Sequence, residues 1–155
     1  MAGANYKPPF SLNRMNRWQT ISPAALHECV LTERRSRQVL AQALPHVHSR
    51  PLRQRLEQLQ EDLGQKIDRL RATLTGLGVA TVASAEQDDP VAAPDLPQDV
   101  RRLFSLVADW QRELWASYSE WQHDSKGEVD REAFADLRRR SDAIRRECLD
   151  IAMLI

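Results

Sequence analysis

Three charged residues stand where helical spacing asks for apolar ones. Glu33, Arg37 and Lys66 interrupt runs of Leu, Val and Ile spaced three and four apart. Glu113 and Arg145 lie directly beside two more such positions, Leu114 and Ile144, with Asp142 close by. Acids and bases gathered inside a helical protein can do one of two things. Carboxylates can hold metal ions, or carboxylates and cations can neutralise each other, because an unpaired buried charge is strongly destabilising. The competing reading is a set of ordinary surface pairs, Glu33 with Arg37 at i, i+4 among them. Other chemistry is thinner. His46-x-His48 follows Pro45 and reads as a solvated hairpin tip, while His27 and His123 would at most share one end of the molecule. Glu57, Glu61 and Asp62 fall mostly on a solvated face. Arg138-Arg139-Arg140 and the arginines of 50–55 read as solvated helix faces, with a local phosphate or anion site as the alternative. The chain carries no Gly-rich phosphate loop, no nucleophile elbow and no Cys–His pairing.

The elements that must position these residues are helices. Ser22-Pro23 supplies an N-cap acceptor and a proline at N1, and a stripe follows through Leu26, Val30, Glu33, Arg37, Leu40 and Leu44. A second stripe runs Leu52, Leu56, Leu59, Leu63, Lys66, Leu70, Leu74 and stops at the glycines of 76–78. A third holds Leu103, Phe104, Val107, Trp110, Leu114, Tyr118 and Trp121. The fourth, capped by Asp130, reads Phe134, Leu137, Ser141, Ile144, Cys148, Ile151 and Ile155. Trp110, Trp115 and Trp121 are expected in the core or at a dimer contact. Nothing alternates as a strand would. The expectation is an all-α four-helix bundle over 22–155, with helices at about 22–44, 49–77, 97–123 and 130–155, preceded by an N-terminal arm over 1–21.

Short connections make each helical pair an antiparallel hairpin. The segment 79–96 between the pairs, rich in Ala, Asp and Pro, has no stripe and is long enough to cross the bundle. A crossover would leave the second and third helices parallel. It would also bring Glu33, Lys66, Glu113, Asp142 and Arg145 to one level, roughly 15 to 20 Å from one end. A plain up-down bundle is the alternative.

Composition narrows the function. With 22 Lys plus Arg against 22 Asp plus Glu, no whole-molecule field favours nucleic acid or an anionic membrane. No span of about 18 to 20 apolar residues suits a membrane, and residues 1–20 lack a secretory core, so a cytoplasmic location is expected. The two Cys, over a hundred residues apart, read as reduced core residues. In the arm, Phe10, Met15 and Trp18 suit either packing on the bundle or docking on a neighbouring subunit or partner protein.

The segment Thr32-Glu33-Arg34-Arg35, the hairpin through 51–56, and the run Asp62-Leu63-Gly64-Gln65-Lys66-Ile67-Asp68-Arg69-Leu70 resemble the first helical pair of the ferritin-like superfamily, and within it the rubrerythrin type. The resemblance covers about residues 24–77 well and the second pair weakly. It implies a crossover bundle in which each pair gives one Glu and one Glu-x-x-His to a di-metal centre. Glu33 and Glu113 take the places of the single glutamates. The Glu-x-x-His places fall to Leu63 with Lys66, and to Asp142 with Arg145. Neither cation has a lone pair to offer a metal. The resemblance therefore implies a ferritin-like protein without metal or other cofactor, in which Lys66 and Arg145 neutralise Glu33 and Glu113. Such a protein would act by binding or homo-oligomeric assembly, with no catalytic residues. Two rival readings are a divergent di-metal oxidase or peroxidase using Glu33 and Glu113, and a helical adaptor working through its N-terminal arm.

Overall fold

The computed structural model describes residues 22–78 and 99–155, which fold into four long helices. The arm with Phe10, Met15 and Trp18, and the expected crossover over 79–96, lie outside the described residues. Helix α1 spans Pro23–Ala43 and passes through a 3-10 turn, Leu44–His46, toward α2, Arg50–Gly76. Helix α3 spans Val100–Asp124 and α4 spans Glu128–Leu154. There are no strands among the described residues.

Local chemistry explains the ends. Ser22 Oγ accepts from the Ala25 amide at 3.0 Å, and Asp99 Oδ1 accepts from that of Arg101 at 3.0 Å, each satisfying a first-turn donor. Helix α2 stops where Gly78 takes φ +77°, a left-handed conformation that glycine adopts without strain. Two boundaries differ from expectation. Helix α3 begins at Val100 rather than near Pro97, because Asp99 caps it. Helix α4 begins at Glu128, two residues before the expected start, with Gly127 as its N-cap. Asp130 is therefore not a cap. It joins Glu128 in the first turn, where acids complement the helix dipole.

The apolar interior is divided in two. One cluster joins Ala25, Leu26, Cys29 and Val30 at the start of α1 to Leu70 and Leu74 late in α2, Leu114, Tyr118 and Trp121 late in α3, and Phe134 and Leu137 early in α4. Tyr118, Trp121 and Phe134 form an aromatic trio there, with ring centroids 5.8 to 6.5 Å apart. The other cluster joins the end of α1 to α2 from Leu56 to Ile67, to the first half of α3 and to the last three turns of α4, from Val39 and Leu56 to Phe104 and Ile151. Val47, in the α1–α2 connection, is 3 % exposed and closes this second cluster from below. Helices α3 and α4 pack most extensively on each other; α1 also packs against α2 and α3, and α2 against α4.

Of the four tryptophans, Trp121 is fully buried, Trp110 is half-buried against the core, and Trp115 is 41 % exposed. Cys29 and Cys148 are free, buried, and sit in different clusters. Burial pushes the Cys148 thiol up to about 12, with the Glu147 charge adding to the effect. Neither thiol should react with an alkylating reagent in the native chain, and mass spectrometry without reductant should find no Cys29–Cys148 bridge. Labelling at either cysteine faster than global unfolding would contradict this packing.

Candidate functional site: a buried charge layer

Between the two apolar clusters every helix contributes a buried polar side chain. Helix α1 supplies Glu33 and Ser36, α2 Lys66, α3 Gln111 and α4 Ser141. Glu33 and Lys66 are both 0 % exposed, with Lys66 Nζ 2.7 Å from Glu33 Oε2. The surroundings complete the pair. Lys66 Nζ also donates to Gln111 Oε1 at 2.5 Å and lies 5.3 Å from the centre of the Tyr118 ring, a cation over a π face. Tyr118 in turn donates its hydroxyl hydrogen to Glu33 Oε2 at 2.9 Å. Gln111 Nε2 donates to Glu33 Oε1 at 2.9 Å and to Ser36 Oγ at 3.2 Å, while Ser36 Oγ donates to the Thr32 carbonyl at 3.0 Å.

This network fixes the Gln111 amide. Its oxygen meets the ammonium and its nitrogen meets the carboxylate, and the reverse orientation would set donors against donors. Both carboxylate oxygens are taken, and the one positive and one negative charge leave the layer neutral. Burial lowers the Lys66 pKa from its ordinary value, against the opposing pull of Glu33. Burial first, and then the negative charge of Glu33, raise the Tyr118 phenol well above its ordinary value.

Of the expected layer, Glu33 and Lys66 meet as proposed, but the second pair does not. Glu113 is exposed, two residues past the position that faces the layer. The inward stripe of α3 runs Phe104, Val107, Gln111, Leu114, Tyr118, Trp121, which turns residue 113 outward. Asp142 and Arg145 are half-buried and pair with each other at 3.4 Å, i to i+3, because the inward position of α4 is Ser141. Arg37 is exposed rather than on the seam, and its guanidinium lies against Gly64 of α2. It is not the partner of Glu33. Gln111 was legible from the four- and three-residue steps from Val107 and to Leu114, where it is the polar member of an apolar stripe.

Metal ions do not fit this donor set. One carboxylate, already accepting from an ammonium, an amide and a phenol, is a single anionic ligand where a di-metal centre needs several, and ammonium cannot ligate. Elsewhere among the described residues no three His, Cys, Asp or Glu side chains lie close enough to hold a metal ion. His46 and His48 are exposed. Comparison with protein families, curated proteins and solved structures finds no match. The layer must therefore be read from its own chemistry.

Two outcomes follow. Lys66→Met leaves a buried carboxylate unpaired and should cost about 3 to 5 kcal/mol in denaturant unfolding. Adding Glu33→Leu should recover part of this, and adding Tyr118→Phe more, since the phenol would otherwise lose its acceptor at about 1 to 3 kcal/mol. Small, additive effects would mean that the pair is not coupled. The second outcome concerns alkali. Tyr118 binds its proton more tightly when folded than when unfolded, so its contribution to stability is complete below the unfolded value of about 10 and is lost as pH rises through the higher folded value. With Tyr6→Phe as background, tyrosinate absorbance should appear only together with loss of helical circular dichroism. Ionisation of the intact fold near pH ~10 would contradict burial of the phenol.

Proposed function

We propose that this chain is a ferritin-like bundle in which the Glu33–Lys66 ion pair stands where the superfamily holds its metals, and that it acts by binding or homo-oligomeric assembly rather than by metal chemistry. The observation that carries this reading is the saturation of Glu33: both oxygens are engaged by Lys66, Gln111 and Tyr118 in a layer closed to solvent. The resemblance assigns Lys66 to the place of the superfamily's inward histidine, and its contact with Glu33 supports that register. The composition of the two clusters supports the crossover form, since the starts of α1 and α4 share one cluster with the late turns of α2 and α3. In that arrangement α2 and α3 point the same way and each pair is an antiparallel hairpin. Assembly is supported by apolar side chains left exposed near the end of α4, Leu149, Met153 and Leu154, the second of them 82 % exposed. No helix among the described residues is long and apolar enough to cross a membrane.

Metal analysis of chain produced in iron- and manganese-replete medium, with sedimentation of the same sample, tests both halves of this proposal. Substoichiometric metal and a species heavier than the monomer are expected. Two ions per chain, lost on Glu33→Ala, would restore the di-metal oxidase or peroxidase reading. A monomer at all concentrations would leave assembly without support.

A further inference from the structure

The arginines of α4 divide into two groups. Arg139 and Arg140 pair with Asp136, and Arg145 and Arg146 pair with Asp142. The remaining two, Arg131 and Arg138, have no carboxylate within ion-pair distance among the described residues, and both line one cleft between α3 and α4. The cleft has a volume of about 430 Å³ and is completed by Ser119, Gln122 and His123 from the last turns of α3. No acid lines it. The nearby Glu132 and Asp136 line a separate cleft, with Arg69 and Arg139. Cations collected without counter-charge in a concave site are the usual makings of anion recognition, and guanidinium is the side chain best matched to phosphate oxygens.

Spacing narrows the class of anion. Arg131 and Arg138 are two helical turns apart on one face of α4, about 10 Å along the axis. Their side chains can therefore grip two charged groups of one molecule rather than a single point. The volume falls in the range of small-molecule sites, roughly 300 to 1,000 Å³. The hydroxyl of Ser119 is already committed to the Trp115 carbonyl at 2.7 Å, which leaves the Gln122 amide and the His123 ring as further donors. A polynucleotide would need a longer basic stripe than this zero-net-charge chain presents.

We infer that the α3–α4 cleft around Arg131, Arg138, Gln122 and His123 binds a small diphosphate-bearing anion. This site is on the surface and independent of the buried layer, so it stands or falls apart from the function proposed above. Calorimetric titration of the whole chain with pyrophosphate at low ionic strength should show saturable binding to one site, with inorganic phosphate weaker. The double change Arg131→Gln with Arg138→Gln should lower the pyrophosphate affinity by about tenfold or more. The control Arg139→Gln with Arg146→Gln removes the same formal charge from arginines that are already paired, and should stay within about twofold. Circular dichroism should show all variants folded, since the four side chains lie at the surface. Absence of saturable binding would overturn the inference. So would equal losses in the two double variants, which would reduce the effect to net charge, or tighter binding of a single-stranded oligonucleotide than of pyrophosphate.

Discussion

A lysine ammonium in the middle of four helices is the constraint to which the rest of this structure answers. Its charge cannot be left alone at 0 % exposure, and everything around Lys66 is arranged to receive it. Glu33 supplies the opposite charge, Gln111 an amide oxygen, and Tyr118 the face of a ring whose hydroxyl also returns to Glu33. Each partner comes from another helix, so α1, α2 and α3 must keep one axial position relative to each other. An apolar core tolerates helices slipping by a turn far better than this network does. Replacing such a pair with hydrocarbon is often neutral or stabilising in other proteins, which points to specificity of packing rather than strength as its contribution here.

The surface adds little to that constraint. Arg55 and Glu147 form a two-pronged contact between α2 and α4, at 3.2 and 2.5 Å, but each side chain is about a third exposed. Such pairs are worth at most about 1 kcal/mol. Asp136 receives Arg69, Arg139 and Arg140, and although partial burial pulls its pKa up, the Arg140 hydrogen bond and the other guanidiniums leave it lower than usual. These contacts orient α4 against α2 and hold its arginines in fixed directions, which is what leaves Arg131 and Arg138 distinct from their neighbours. The buried Trp121 indole nitrogen has no hydrogen-bond partner among the described residues, and its ring is held by edge-on contacts with Tyr118 and Phe134.

Much of this was legible from residue spacing. Strict three- and four-residue steps marked the four helices, and the charged residues on the first two stripes marked Glu33 and Lys66 as inward. Helix α3 was harder because Trp110 and Gln111 compete for the seam. Hydrophobicity favours the tryptophan, but the register set by Val107, Leu114, Tyr118 and Trp121 places the glutamine inside. Pairing Glu113 with Arg145 failed for a related reason: a residue one step from a stripe is turned by about 100°, enough to carry it from core to solvent. The contribution of Tyr118 could not be read from the sequence, because an aromatic at a core position says nothing about where its hydroxyl will point.

The polar layer also divides the hydrocarbon interior of the described residues into two compartments. Val39, Leu56, Phe104 and Ile151 fill one, and Leu26, Leu70, Trp121 and Phe134 fill the other. Tyr118 belongs to both the layer and the second compartment, its ring against Trp121 and Phe134 and its hydroxyl on Glu33, so a change of side-chain volume there reaches the layer. Repacking is therefore least constrained in the first compartment, where Val39, Leu56, Phe104 and Ile151 carry no side-chain hydrogen bond to the network, and most constrained around Tyr118.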